Sequence, residues 1–190
     1  GTGTTQGKGP QMLRALAEKL QCPVMTTPKG KGVFPEDHPL SIGVFGMGGH
    51  PSSTEYLKGG VETVLAVGTS LSDLATNGFS QLLLPARTFV HIDIDPAQVG
   101  RAYPAHLTIC APAERALEAI LARVEPEAER RSFGIRREAP IAIARAEEGR
   151  ISPVTAVEEI QSVLPRDAIV TVDSGEHYFF ATHYLRTSVP

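Results

Sequence analysis

An α/β fold built on a parallel sheet is predicted from three observations. Two short apolar runs rich in β-branched residues, Val64-Leu65-Ala66-Val67 and Thr88-Phe89-Val90-His91-Ile92, each stop at a small or acidic residue. Runs of that length and composition read as strands buried on both faces. A patterned connector of about twenty residues separates them, long enough for a crossover helix, and the three pieces make a βαβ unit. The residues that end the strands, Gly68-Thr69-Ser70 and Asp93-Ile94-Asp95-Pro96, then belong at the carboxyl edge of the sheet. Ligands of open α/β sheets bind at that edge.

The other elements follow in order. Residues 10–20 carry Met12, Leu13, Leu16, Ala17 and Leu20 at helical period, with Pro10 in the first turn. The loop before them, Gly3 to Gly9, is placed to offer backbone N–H groups to a phosphate, with a plain turn as the alternative. Residues 22–27 read as a short strand, and 28–39, with three prolines and two glycines across its twelve residues, as an ordered irregular loop. The segment 43–50 has four glycines that let backbone or ligand approach closely, and a short helix over 51–57 follows with Ser52 and Ser53 as caps. Asp95-Pro96 reads as an N-cap followed by proline at the first helical position, in competition with a ligand role for Asp95. Asp93 and Asp95 share one side of a continuing strand, and an acid there can accept from a ribose hydroxyl.

Residues 107–110 form another strand and 112–124 an amphipathic helix. Between 125 and 149 the chain is dense in Glu, Arg and Ala, which describes a solvated, partly helical linker. A new unit starts at Ile151. Ser152 caps and Pro153 opens a helix striped by Val154, Val157, Ile160, Val163 and Leu164, then comes a strand over 168–172 and a helix over 176–185 headed by Gly175. The opening Gly1-Thr2-Gly3-Thr4-Thr5 has no strand before it, and the end falls just after a new helix, so the chain reads as a piece of a longer protein.

The 190 residues can bury a sizeable core, and a formal charge of −3 with interleaved signs argues against a nucleic-acid or membrane-surface partner. Cys22 and Cys110 lie outside any CxxC and read as reduced, mostly buried thiols, with a cytoplasmic location as the default. No apolar run approaches the ~20 residues of a membrane span. His177 and His183 are six apart, which on a helix rotates them by roughly 240°, so they do not share a face as an HExxH zinc pair would. His91, inside an apolar strand, reads as a hydrogen-bonded core residue. No GxSxG, P-loop or kinase signature occurs, and neither a catalytic residue nor a metal ligand is assigned.

Five segments in fixed order, TTPKGKGVFPEDHPL, GVFGMGGH, VLAVGTSLSD, FVHIDIDPAQVGR and ISPVTAVEEIQSVLPRDAIVTVDSGEHYFF, together resemble the thiamine-diphosphate-dependent enzymes of the acetolactate synthase, pyruvate oxidase and 2-oxo acid decarboxylase group. The resemblance implies a doubly wound, mostly parallel sheet with helices on both faces, a dinucleotide-binding-like central domain over 1–124. A charged linker over 125–150 and the first helix-strand-helix of a thiamine-diphosphate-binding domain over 151–190 would follow. It implies an intact parent that decarboxylates a 2-oxo acid with carboligation, uses thiamine diphosphate and Mg2+, and works as a homo-oligomer, dimer or tetramer. The piece itself would not be catalytic, since the catalytic Glu and the GDG…N motif are not among these residues. Ser174, Gly175, Glu176 and His177 match a VGQH motif that contacts the cofactor's diphosphate, with Glu176 in place of a neutral amide. Gly1, Gly3, Thr26, Thr27, Gly46, Gly48, Gly49, Gly68, Asp93 and Asp95 fall on motifs that line FAD in acetolactate synthases. The family's GxRxxDR reads Gly68-Thr69-Ser70-Leu71-Ser72-Asp73-Leu74, without either arginine, which implies a nucleotide site empty or differently occupied. The alternative is a self-contained module binding NAD or ADP without thiamine chemistry.

Overall fold

The computed structural model describes residues 1–136, 150–165 and 167–187. In chain order the elements are α1 (Gly9–Leu20), β1 (Val24–Thr26), β2 (Ser41–Val44), α2 (Pro51–Lys58), β3 (Thr63–Val67), α3 (Asp73–Thr76), β4 (Thr88–Asp93), β5 (Leu107–Cys110), α4 (Ala113–Leu121), α5 (Pro153–Val163) and α6 (Glu176–Tyr184). Short 3-10 turns occupy Thr2–Thr5, Pro28–Gly30 and Gln81–Leu83. Every strand pairing is parallel: β1 with β2, and β3-β4-β5 in that order. The α/β architecture with a parallel sheet is the one expected.

The register explains the burial on both faces. Val64 lies opposite Phe89 and Val67 opposite Ile92, so alternate residues of β3 and β4 point to opposite sides. On one side Ala66 and Phe89 pack with Phe45, Leu57, Leu71, Leu83 and Tyr103; on the other Val67 and Ile92 pack with Leu16 of α1 and Ala113, Ala116 and Leu117 of α4. Phe89 is fully buried and its ring stacks on Tyr103 at 5.8 Å between centroids, 7° from parallel. Tyr103 in turn donates its hydroxyl to the Ser80 carbonyl at 3.0 Å, which satisfies the one polar atom of the pair. Ala17, Val33, Phe34 and Leu40 form a third cluster beneath the 28–39 loop.

Several expectations are corrected. β2 was not foreseen as a strand, because its sequence Ser-Ile-Gly-Val carries a glycine at φ +83° and a register shift against β1. The β3–β4 crossover holds only a four-residue helix, which stops where Asn77, Gly78 and Phe79 all take positive φ. Asp95 caps a turn and not a helix: its Oδ1 accepts from Ala97 N–H at 2.9 Å and its Oδ2 from Gln98 Nε2 at 3.1 Å. Ser52 and Ser53 do not cap α2. Ser52 donates to the Ile42 carbonyl and Ser53 to the Val44 and His50 carbonyls, so both tie the helix back to β2. Cys110 is exposed on β5, the outermost strand of its sheet, and Cys22 is half-buried; both are free thiols.

No strand forms over 168–172, where Ile169, Val170 and Val172 are exposed. A strand needs a ladder partner, and none of the described strands lies beside it. The flanking helices form as expected: Ser152 Oγ accepts the Thr155 N–H at 3.1 Å at the head of α5, and α5 packs on α6. Of the charged segment, 125–136 has no regular structure and 137–149 lie outside the described residues.

Candidate functional site

Because the strands are parallel, Thr26, Val67 and Asp93 each close a strand at its carboxyl end. Gly68 turns the chain at φ +57°, and the loop of Gly1 and Gly3 presses directly on it. Gly3 N–H donates to the Gly68 carbonyl at 2.9 Å, and Thr4 Oγ1 donates to the Val67 carbonyl at 3.1 Å. A methyl group on Gly3 would sit 2.8 Å from Gly68 Cα, and one on Gly68 only 2.6 Å from Thr4 N. Only bare backbone fits there. Gly1 N donates to the Val67 carbonyl at 2.9 Å and Gly68 N–H to the Ile92 carbonyl at 2.8 Å, which sets the end of β4 beside the same loop.

Thr26 is buried, and Thr27 Oγ1 accepts the Gly30 N–H at 3.2 Å, closing the turn after β1. Gly30 lies against Gly1, a Cβ on it being 3.0 Å from Gly1 Cα. Gly1, Gly3, Gly68, Asp93 and the Thr26-Thr27 turn are therefore brought to one corner of the sheet edge. At the far side of that corner His91, fully buried, accepts the Gly100 N–H on Nδ1 at 3.1 Å and donates Nε2–H to the Thr69 carbonyl at 2.8 Å. It is the hydrogen-bonded core histidine the strand pattern indicated. Asp95 has its carboxyl held below the usual range by the Ala97 N–H first and the Gln98 amide second, and Asp93 Oδ1 accepts the Asp95 N–H at 3.1 Å. At positions 70 and 74 stand a serine and an exposed leucine; the Leu74 carbonyl accepts the Met47 N–H at 2.8 Å.

The glycines after β2 are packed closely against protein where a side chain would stand. A Cβ on Gly46, at φ +124°, would overlap the carbonyls of Leu74 and Ala75; one on Gly49 would overlap the Val44 carbonyl; one on Gly48, at φ +73°, would lie 3.1 Å from Cα of Phe179 on α6. Ser174, Gly175, Glu176 and His177 stand exposed at the head of that same helix. Gly175 has φ +149°, and the His177 ring folds back against it, a Cβ there being 2.8 Å from the imidazole. The anion-binding role considered for the loop before α1 meets a competitor: Lys8 N–H donates to Glu114 Oε2 at 3.1 Å. A cavity of about 1080 Å³ opens between the 31–37 loop and residues 161–170, and no predicted site residue lines it. Among the described residues no group of three or more His, Cys, Asp or Glu could hold a metal ion, and no helix is long and apolar enough to cross a membrane.

Sequence reasoning missed His50 and His183. His50, buried at the start of α2, accepts the Val44 N–H on Nδ1 at 2.8 Å. The one signal was Gly43, whose missing side chain makes room for that ring.

Residues 1–120 match the family described as "Thiamine pyrophosphate enzyme, central domain". The chain belongs to that family. It is 31% identical over 196 residues to the "Probable acetolactate synthase large subunit" of Methanocaldococcus jannaschii, covering 97% of this chain and 33% of the relative. It is likewise 31% identical over 188 residues to "Acetolactate synthase 1, chloroplastic" of Zea mays, covering 94% and 29%, and 31% identical over 172 residues to "Acetolactate synthase isozyme 1 large subunit" of Escherichia coli, covering 88% and 30%. The chain spans about a third of the length of these curated relatives. The parallel sheet with helices on both faces described above is the form this central domain of the thiamine pyrophosphate enzymes takes here.

Proposed function

We propose that the intact protein is a thiamine-diphosphate-dependent enzyme that decarboxylates a 2-oxo acid with carboligation, as its resemblance to acetolactate synthases suggests. The observation that carries this reading is that the similarity does not stop with the central domain. The alignment with the archaeal relative covers nearly the whole chain, α5 and α6 included. In this reading 1–124 form the central domain, 125–150 a linker and 151–190 the start of the cofactor-binding domain, and the intact protein acts in the cytoplasm as a homo-oligomer. The exposed Ile160, Val163, Ile169 and Val172 support a surface covered by further protein.

Ser174, Gly175 and His177 would hold the diphosphate. They are exposed at the head of α6, which has no side-chain cap, and turn on a glycine whose φ permits close approach. Glu176 and Asp173 flank that position with negative charge, which fits a diphosphate accompanied by Mg2+ better than a bare one. When bound, thiamine diphosphate supplies the electron sink for loss of carbon dioxide. These residues supply binding and orientation. At the β3–β4 edge the glycine corner would receive a nucleotide, but Ser70 and Leu74 offer no cation to it, which favours an empty or non-flavin site over FAD.

The test is carbon dioxide release by the intact protein from pyruvate and a panel of other 2-oxo acids, with thiamine diphosphate and Mg2+ supplied. Release dependent on the cofactor is expected. No release from any of them would sink the proposal.

A further inference from the structure

The glycine-rich segment after β2 is a seat for α6. His50 Nε2 donates to the His183 carbonyl at 2.9 Å, and His183 Nδ1 donates to the Gly49 carbonyl at 3.0 Å. Both imidazoles are buried or nearly so, and their centroids are 5.0 Å apart. His50 can donate in that direction because its Nδ1 is taken by the Val44 N–H, which fixes the proton on Nε2. One turn earlier on α6, Phe179 lies over Gly48, where the lack of a side chain lets the helix backbone come close. Past the helix, Thr187 exchanges two bonds with Glu36: Glu36 N–H donates to the Thr187 carbonyl at 2.8 Å, and Thr187 N–H to Glu36 Oε2 at 3.3 Å. The C-terminal half of α6 is thus fixed on the central domain, while its head is exposed.

We propose that His50 and His183 are positioning residues: their reciprocal hydrogen bonds set where the head of α6, and with it Ser174, Gly175 and His177, stands relative to the central domain. This rests on the reading of those residues as the diphosphate contact. A helix transmits position rigidly along its axis, so a small shift at His183 displaces the binding turn two turns away by a comparable amount. Placement errors of that size are costly in a binding site. The arrangement also gives Gly43 and Gly48 a joint purpose, one making room for the His50 ring and the other for the α6 backbone.

The experiment uses the intact protein, wild type against His183→Phe and His183→Asn. Phenylalanine keeps the ring and loses the donor; asparagine restores an N–H donor near the Nδ1 position. Hydrogen exchange of the α6 amides is expected to rise about tenfold in H183F and to return toward wild type in H183N. Calorimetric affinity for thiamine diphosphate with Mg2+ is expected to weaken about tenfold in H183F, the loss falling on affinity more than on kcat at saturating cofactor, with recovery in H183N. Wild-type exchange and affinity in H183F would overturn the proposal, as would equal impairment in the two variants, which marks a packing role only. If wild type itself binds no thiamine diphosphate while exchange responds as described, the clamp stands and the function reading falls.

Discussion

The imidazoles of His50 and His183 lie 5.0 Å apart where α6 meets the glycine-rich segment after β2, each bonded to a main-chain carbonyl of the other's segment. The seat they share was prepared by glycines, and the strictest of these is Gly43. It holds φ +83° inside β2, and a Cβ would overlap His50 Nδ1. Gly43→Ala therefore combines a forced left-handed alanine with displacement of a buried ring. A loss of about 2–4 kcal/mol in urea unfolding is expected. A loss below about 1 kcal/mol would mean that the loop shifts without consequence.

Phe89 anchors the other side of the sheet. Its side chain is fully buried and stacked on Tyr103, so Phe89→Ala should cost about 3–5 kcal/mol by denaturant titration. Tyr103→Phe keeps the stack and removes only the bond to Ser80, for an expected loss of about 0.5–1.5 kcal/mol. A larger effect for the tyrosine variant than for the phenylalanine variant would contradict this ranking.

The missing cations can be restored. Ser70→Arg with Leu74→Arg places one guanidinium group on the loop after β3 and one on α3, and flavin adenine dinucleotide binding followed by fluorescence quenching should tighten about tenfold or more relative to wild type. Equal affinity before and after would show that the arginines are not what the edge lacks.

Glu176 offers a test at the head of α6. Replacing it with glutamine removes a carboxylate from beside the proposed diphosphate position while keeping the size of the side chain. Thiamine diphosphate should bind several-fold tighter at low Mg2+, with the gain shrinking as Mg2+ rises, on a Coulomb estimate of about 1 kcal/mol for an exposed pair. A weaker complex would show that Glu176 holds the metal or the cofactor by a direct bond.

One ion pair gives a pH dependence of defined sign. Glu18 accepts from Arg14 Nε at 2.8 Å and from His38 Nε2 at 3.0 Å, and these partners, the arginine first, hold its carboxyl below the usual range. A depressed folded-state value means that the contribution is present above the unfolded carboxylate's range and disappears as pH falls through the folded one. The side chain is 45% exposed, so screening limits the contribution to under about 1 kcal/mol. Glu18→Gln should lower stability near pH 7 by a few tenths of a kcal/mol, and the difference should shrink as pH falls below the usual carboxylate range. A difference that persists undiminished at pH 3 would place the cause elsewhere.

The residues read most easily were those whose environment repeats along the chain. β4 and the Ala66-Val67 end of β3 announce themselves because both faces are covered there, and His91 was legible because a polar ring in such a strand must find partners within reach. Ser152 declared its helix through a local rule. β2 and the short α3 were hidden for the opposite reason: their course depends on Gly43, Asn77, Gly78 and Phe79 taking backbone angles that residue type permits but does not dictate. The clamp was beyond reach because His50 and His183 are 133 positions apart. Asp95 shows a middle case, where capping chemistry was read correctly and the element capped was not.

At the corner of Gly1, Gly3 and Gly68 each residue is excluded from growing chiefly by main-chain atoms of the others and of Thr4 and Thr69, not by side chains that a second mutation could trim. Drift there has no compensating partner. Related chains that keep this corner should therefore keep all three glycines together, and a chain that replaces one should show the loop rebuilt and not merely repacked.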